Sequence, residues 1–559
     1  MAAAPLGNNV LRLISERGDE PPQEPSGLPT IRIRAGELPR IIDEAEAALV
    51  AAGGHDIYRF GNALVKVAWD RIRVAGGGHD ESLRHSPIGV AGLMEIFPRV
   101  AGFVRWLKTE NAWAAADCPE QVAKSYLARD GEWNVPPLLG VITAPTLRPD
   151  GTVISTRGYD KETGLLFDPL GVDFGGITTH PTREDAEGGL RMLKQLIRRF
   201  SFVSPADRSV ALSGIITAVV RQAIPVAPMH AFDAPVPGSG KSLLVDLAAM
   251  IATGHRAAVM STGTDKYGDA EFEKRLSSAV LGGDVIVSMD NMEEPLNGQL
   301  LCQVLTQHSV KIRPFGKLQN VTVPSTATYF ANGNNLVVLG DLTRRVLVGR
   351  IDPRVERPEL VRHPFAPVAL ARRARVILVR AVLAIVMAHQ QSGAERGDPL
   401  GSFEEWSWLV RDALVWLGEA DPVEVMERTR AADPRLETLR AVVRAWRDAF
   451  EGVQVRVKDI MAMVNEIRSP DGTSSCANPD LREAILPFAA GSRGDLSPEK
   501  IGRWLRRNLD RTLIIDEVKY RFVNEADTNG TKWRLEYDKR AVPTTVSEDD
   551  GGDAFDVPF

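Results

Sequence analysis

Residues 231–246 read AFDAPVPGSGKSLLVD. The run Gly-Ser-Gly-Lys-Ser follows a short apolar stretch and opens an apolar-periodic segment, the setting a phosphate-binding loop requires. Gly238 and Gly240 let the backbone curl so that successive N–H groups point at a polyphosphate. The helix that follows offers the same anion its N-terminal dipole and its unpaired N–H groups. In this reading Gly238, Ser239, Gly240, Lys241 and Ser242 bind ATP, with Lys241 reaching the β/γ-phosphates and Ser242 holding Mg²⁺. The usual pattern opens with a glycine five residues before Gly240, and here that position is Pro235. The plainer alternative is a Gly-rich turn before an ordinary helix.

Hydrolysis needs a second acid on a neighbouring strand. Residues 284–291 read DVIVSMDN, an apolar strand ending at Asp290, which puts a carboxylate at the edge where the phosphate loop lies. Asp290 is assigned to Mg²⁺. The usual next residue is a Glu that orients water, but Asn291 stands there; either Asp290 shares the role or Glu293 or Glu294 supplies the base. A third strand within TATYFANGNN (326–335) brings Asn332 or Asn334 toward the γ-phosphate, with Asn334 preferred. In GDLTRRVLVGRID (340–352), Arg344 and Arg345 suit an arginine finger that reaches a neighbouring subunit's γ-phosphate. Between the second and third strands, HSVKIRPFGKLQNVTVP reads as a hairpin turning at PFGK. Its Lys311, Arg313 and Lys317, with Phe315 at the tip, suit a nucleic-acid backbone threading a pore.

This order of loop, acid strand, basic hairpin, Asn-ended strand and Arg-Arg resembles superfamily III helicases of the AAA+ class. It is most similar to the ATPase half of phage and plasmid primase-helicases. PTLRPDGTVISTRGYDKETGLLFDP (146–169) is similar to the stretch preceding the motor in such proteins. The resemblance implies a hexameric ring that hydrolyses ATP between subunits and moves on single-stranded DNA, 3′ to 5′, in replication of a mobile element. It places the chain in the cytoplasm of a bacterial host. Pro235 and Asn291 depart from the commonest motifs. Residues 1–130 offer no convincing primase acids, so primer synthesis is not carried over. Two other readings remain: a double-stranded-DNA translocase or origin remodeller, and a nucleotide-gated scaffold with little hydrolysis, which Asn291 favours.

The elements that must position these residues fit a multidomain α/β chain. At 559 residues it exceeds one core. Its 44% apolar and 25% charged residues are those of a soluble globular protein. No apolar run approaches the roughly 20 residues that span a bilayer, and the N-terminus lacks a secretory pattern. Cys118, Cys302 and Cys476 lie far apart without metal-ligand spacing and read as reduced thiols. The expected order is a flexible leader (1–30), an α+β region (31–180), a P-loop ATPase core with preceding helices (181–355), a helical domain (356–450), a winged-helix-like domain (451–540) and an acidic disordered tail (541–559). Residues 71–90 read as loop. Trp406, Trp408, Trp416 and Trp446 read as core.

The net charge of −6 does not advertise nucleic-acid binding, but residues 541–559 hold five acids and no Lys or Arg. The remainder is near neutral, so DNA contacts must come from local patches. In SPEKIGRWLRRNLDR (497–511), Ser497 and Pro498 open a helix that buries Ile501, Trp504, Leu505 and Leu509 and exposes Arg503 and Arg507 toward duplex or fork DNA. The chain ends EDDGGDAFDVPF, which resembles the tip of bacterial single-stranded-DNA-binding proteins. Phe559 would fill an apolar pocket of a host replication or repair enzyme while the acids face a cationic rim. A peptide of this tail should retain host proteins that recognise such tips, and a peptide lacking Phe559 should not. Equal recovery would leave only a solubilising tail.

Overall fold

A computed structural model describes residues 27–73, 79–260, 268–314, 319–360, 365–465, 467–468, 474–491, 495–528 and 530–538. The expected leader (apart from 27–30), the hairpin tip with Phe315 and Lys317, and the tail with Phe559 therefore lie outside the described residues. The chain forms two compact units, Met1–Glu427 and Arg428–Phe559.

The first unit is built on five parallel strands: β1 (Met229–Ala234), β2 (Val259–Met260), β3 (Ile286–Met292), β4 (Thr328–Asn334) and β5 (Val346–Arg350). Their order is β2-β3-β4-β1-β5. The central strands are buried at nearly every position because both faces are covered, as a parallel sheet requires. The acid strand β3 is not the immediate neighbour of β1. The Asn-ended strand β4 lies between them, pairing Ala234 with Asn334 on one side and Met289 with Ala331 on the other. At about 4.8 Å per strand, β1 and β3 stand roughly 10 Å apart.

One sheet face is covered by α1 (Arg183–Ile197), α2 (Pro205–Val220), α3 (Lys241–Thr253) and α6 (Arg375–Gln391). The other carries α4 (Gly268–Gly282), α5 (Gln299–Thr306) and the hairpin Ser309–Ile312/Val321–Pro324. Helices from before and after the phosphate loop share one core, with Leu193, Ile216 and Leu247 packed alongside Val382, Ile385 and Trp406. Residues 367–426 therefore fold back onto the sheet and do not form the separate domain expected for 356–450. The helix Pro434–Phe450, with Trp446, belongs to the second unit. Trp406 and Trp446 are buried as expected, whereas Trp408 and Trp416 are half-buried against His389.

In the N-terminal region Thr30–Ile33 is a strand, Leu38–Ala51 a helix, and Ile57–Phe60/Ala63–Arg73 a hairpin. The stretch read as loop contains a third strand instead, His79–Pro87, paired with Ala63–Arg73. Its polar composition hides a register in which Leu83 and His85 turn inward at alternate positions. Tyr58, Phe60 and Val65 join the core on the β3 side of the sheet, tying this region to the unit.

The second unit packs four helices against an antiparallel sheet ordered Val455–Arg456, Gly530–Asp538, Val518–Asp527, Leu513–Ile515. Helix α7 (Pro498–Arg507) starts where predicted, Ser497 Oγ accepting from the Lys500 N–H at 3.4 Å. Ile501 and Leu505 are buried and Trp504 stacks on Phe488, 4.4 Å between centroids.

His230 on β1 is fully buried with Nε2 3.0 Å from Ser213 Oγ, and burial pulls its pKa down to about 3. The unfolded chain takes up this proton below roughly pH 6.5, while the folded chain refuses it until about pH 3. Stability of the first unit should therefore fall as pH drops through that window, by at most about 1.4 kcal/mol per unit from this group. Denaturant titrations at pH 7 and pH 5 should show the drop, and His230→Gln should shrink it.

Candidate nucleotide site

Beyond Ala234 the chain leaves the sheet through Pro235 and returns as α3. Gly238 and Gly240 have φ of 73° and 94°, the left-handed region that glycine enters without strain. Gly240 is the N-cap of α3, so Lys241 and Ser242 occupy its first turn, where N–H groups lack partners within the helix. Pro235 takes the place of the missing glycine without preventing the curl.

The Lys241 ammonium donates to Asn334 Oδ1 at 2.7 Å, Ser239 Oγ at 3.1 Å and the Val236 carbonyl at 3.3 Å. Lys241 is only 8% exposed. Burial lowers its pKa from the ordinary ammonium value, and the carboxylates of Asp233 and Asp290 oppose that shift. The Ser242 hydroxyl donates to Asp290 Oδ1 at 2.9 Å. The fold thus brings Lys241, Ser242, Asp290 and Asn334 together from α3 and the ends of β3 and β4.

The two asparagines of β4 divide their work. Asn334 faces Lys241, while Asn332, 2% exposed, accepts the Asn291 N–H at 3.2 Å. The pairing of β3 with β4 shifts between Met289 and Met292, and Asn291 has φ of 53°. This irregularity re-aims Asp290 and is held by Asn332. Asn291 Nδ2 also donates to Glu293 Oε1 at 3.3 Å, so Glu293 is tethered beside the acid, and Glu294 is exposed.

The chemistry of Ser242 and Asp290 fits Mg²⁺, since a hydroxyl and a carboxylate are hard oxygen donors. Among the described residues no cluster of His, Cys, Asp or Glu could hold a metal by itself. A cation here would be completed by phosphate oxygens and water, as Mg²⁺ sites commonly are.

Sequence reading missed several neighbours. Asp233, on β1, accepts the Leu336 N–H at 2.8 Å and lies 3.4 Å from Arg350 Nε at the end of β5. Asp246, one turn beyond Ser242 on α3, has its pKa raised by burial, opposed by Arg256 and reinforced by Asp290. Beside Gly238–Gly240 an apolar cleft of about 400 Å³ is lined by Phe200, Leu243, Pro353, Val355 and Phe365. It has the size and lining of a base pocket. No spacing in the sequence connects these residues; only the fold does.

The arginine pair lies elsewhere. Arg344 and Arg345 precede β5, whose first residue pairs with Met229 at the start of β1. They are therefore at the opposite edge of the sheet from the phosphate loop, about 17–20 Å along β1. Arg345 is pinned: Nη1 donates to the Cys302 carbonyl and, at 2.9 Å, to Thr306 Oγ1, and Nη2 pairs with Asp341. Arg344 also pairs with Asp341 but remains 46% exposed. On the hairpin, Val310 and Ile312 are buried and Lys311 and Arg313 point outward. On α7 of the second unit Arg503 pairs with Glu499, and Arg507 is exposed.

No protein-family profile matches the chain, and no curated protein matches it in sequence. Solved structures that it resembles include the apo C-terminal region of NrS-1, at 11% identity over 88% of this chain and 97% of that one, TM-score 0.33. Another is the SCCmec type IV Cch active helicase, at 10% identity over 79% and 95%, TM-score 0.32. A third is JCV helicase, at 10% identity over 45% and 68%, TM-score 0.18. Among the described residues no helix is long and apolar enough to cross a membrane.

Removing Lys241 deletes a charged hydrogen bond to phosphate, so Lys241→Ala should weaken binding of a fluorescent ATP analogue about tenfold or more. Ser242→Ala and Asp290→Asn should instead abolish the difference between binding with Mg²⁺ and with EDTA. Analogue titrations in both buffers check each outcome.

Proposed function

We propose that the chain is an ATP-driven DNA helicase of the superfamily III AAA+ type, a hexameric ring acting in replication of a phage or mobile element in a bacterial cell. The observation that carries this reading is the pairing of Lys241 with Asn334 and of Ser242 with Asp290, at the sheet edge opposite the one that bears Arg344.

In the reaction, Lys241 and the N–H groups of residues 238–242 hold the β/γ-phosphates, and the apolar cleft at Phe200 takes the base. Ser242 and Asp290 would hold Mg²⁺, and the charge neutralisation it would supply is at the phosphate oxygens. Asn334 exchanges Lys241 for the γ-phosphate or the lytic water. Glu293, tethered by Asn291, is the nearest candidate to take the water's proton. Arg344 enters from the next protomer, because its own phosphate loop is out of reach. Arg345 holds the turn that presents it. Lys311 and Arg313, with Phe315 and Lys317 at the tip, contact single-stranded DNA in the pore. The winged-helix-like unit offers Arg503 and Arg507 to duplex or fork DNA.

A second reading, a nucleotide-gated scaffold with little hydrolysis, draws support from Asn291, whose N–H is taken by Asn332 where a glutamate would otherwise orient water.

Turnover and strand displacement on forked DNA separate the two readings. The helicase should release phosphate in a DNA-stimulated manner, and Lys241→Ala and Asp290→Asn should each lose at least about a hundredfold, in line with losing charge stabilisation at the transferring phosphoryl group. Lys311→Ala should lower the ratio of turnover with DNA to turnover without it. ATP binding without turnover above that of Lys241→Ala would favour the scaffold.

A further inference from the structure

The N-terminal region contains a second surface suited to nucleic acid, away from the motor. Thr30–Ile33, Gly102–Leu107 and Ala112–Ala115 form a three-stranded sheet in which the first pair is parallel and the second antiparallel. Ile31 and Phe103 are paired and buried, packing one face onto Leu93 and Phe97. Alternation puts Arg32, Trp106 and Trp113 on the other face.

Trp106 and Trp113 stand directly opposite each other in register, ring centroids 5.5 Å apart and planes at 71°. Trp106 is 36% exposed. The guanidinium carbons of Arg32 and Arg34 lie 5.4 and 5.7 Å from the Trp113 ring centre. Trp113 Nε1 is buried and has no acceptor among the described residues, an uncommon state for a buried indole N–H. None of the three strands contains Asp or Glu, although the whole chain carries −6; in the connecting turn Lys108 and Glu110 cancel.

We propose that this face binds single-stranded nucleic acid, with bases stacking on Trp106 and Trp113 and phosphates meeting Arg32 and Arg34. An edge-to-face tryptophan pair on a sheet, with Trp106 exposed and arginines over Trp113, offers bases a stacking surface that reads no particular sequence. Duplex DNA, whose bases are stacked on each other, offers this face only phosphates. The site needs neither ATP nor a second protomer, so it stands apart from the proposed motor.

The test uses the full chain carrying Lys241→Ala, without nucleotide, so that ATP does not contribute, and the cross-link position below separates this face from the hairpin 309–324. Fluorescence anisotropy is measured with a 20-mer of thymidine, a 20-mer of uridine and a 20-bp duplex. At least one single strand should bind more tightly than the duplex, and the two oligomers tell DNA from RNA. Trp106→Ala/Trp113→Ala should lower that affinity about tenfold or more, and Arg32→Glu/Arg34→Glu should do the same with the tryptophans in place. Photo-cross-linking of an iodo-substituted pyrimidine oligomer should map to Trp106 or Trp113. Unchanged affinity in the folded arginine double variant, equal binding of the duplex, or cross-links confined to 309–324 would overturn the assignment.

Discussion

A lysine that is nearly removed from water and held by an asparagine on the strand beside an acid sets the terms for the rest of this chain. Lys241 is buried because α3 starts at the end of β1 and packs between sheet and helices; Asn334 accepts its hydrogen bond, and Asp233 and Asp290 oppose the lowering of its pKa by burial. That arrangement exists only because β4 is inserted between β1 and β3. The strand order is thus part of the site's chemistry, and Asn332 secures it by bracing the irregular end of β3.

The same parallel sheet separates two halves of the proposed reaction. Strand ends carry the phosphate loop, acid and asparagine, while strand beginnings carry the arginine turn. Arg345 bonds the last turn of α5, and α5 runs into the hairpin at Ser309. The arginine turn is thus joined through one hydrogen-bonded helix to the strands that bear Lys311 and Arg313.

Much of the site was legible in the sequence because its chemistry is local. Gly238 to Ser242 form one turn, and Asp290 and Asn334 each end a recognisable apolar strand. What stayed hidden depends on contacts between distant segments. Phe200, Pro353 and Val355 come together only when α1, the phosphate loop and the end of β5 meet. Arg344 and Arg345 look equivalent in a dipeptide, yet packing against α5 makes one a tether and leaves the other at the surface. The helical segment 356–450 reads as a separate domain, since periodicity reports a buried face but not what covers it. His79–Pro87 was missed because its polar residues alternate with inward ones in a register set by its partner strand.

The central claim is that one catalytic site is assembled from two protomers. Mixing Lys241→Ala and Arg344→Ala chains, each inactive alone, tests it directly. A mixed assembly contains sites that combine an intact phosphate loop with an intact arginine, so phosphate release should reappear and peak near equal proportions. Persistent inactivity at every ratio in assemblies shown to contain both chains, or full turnover by an isolated wild-type monomer, would contradict the account.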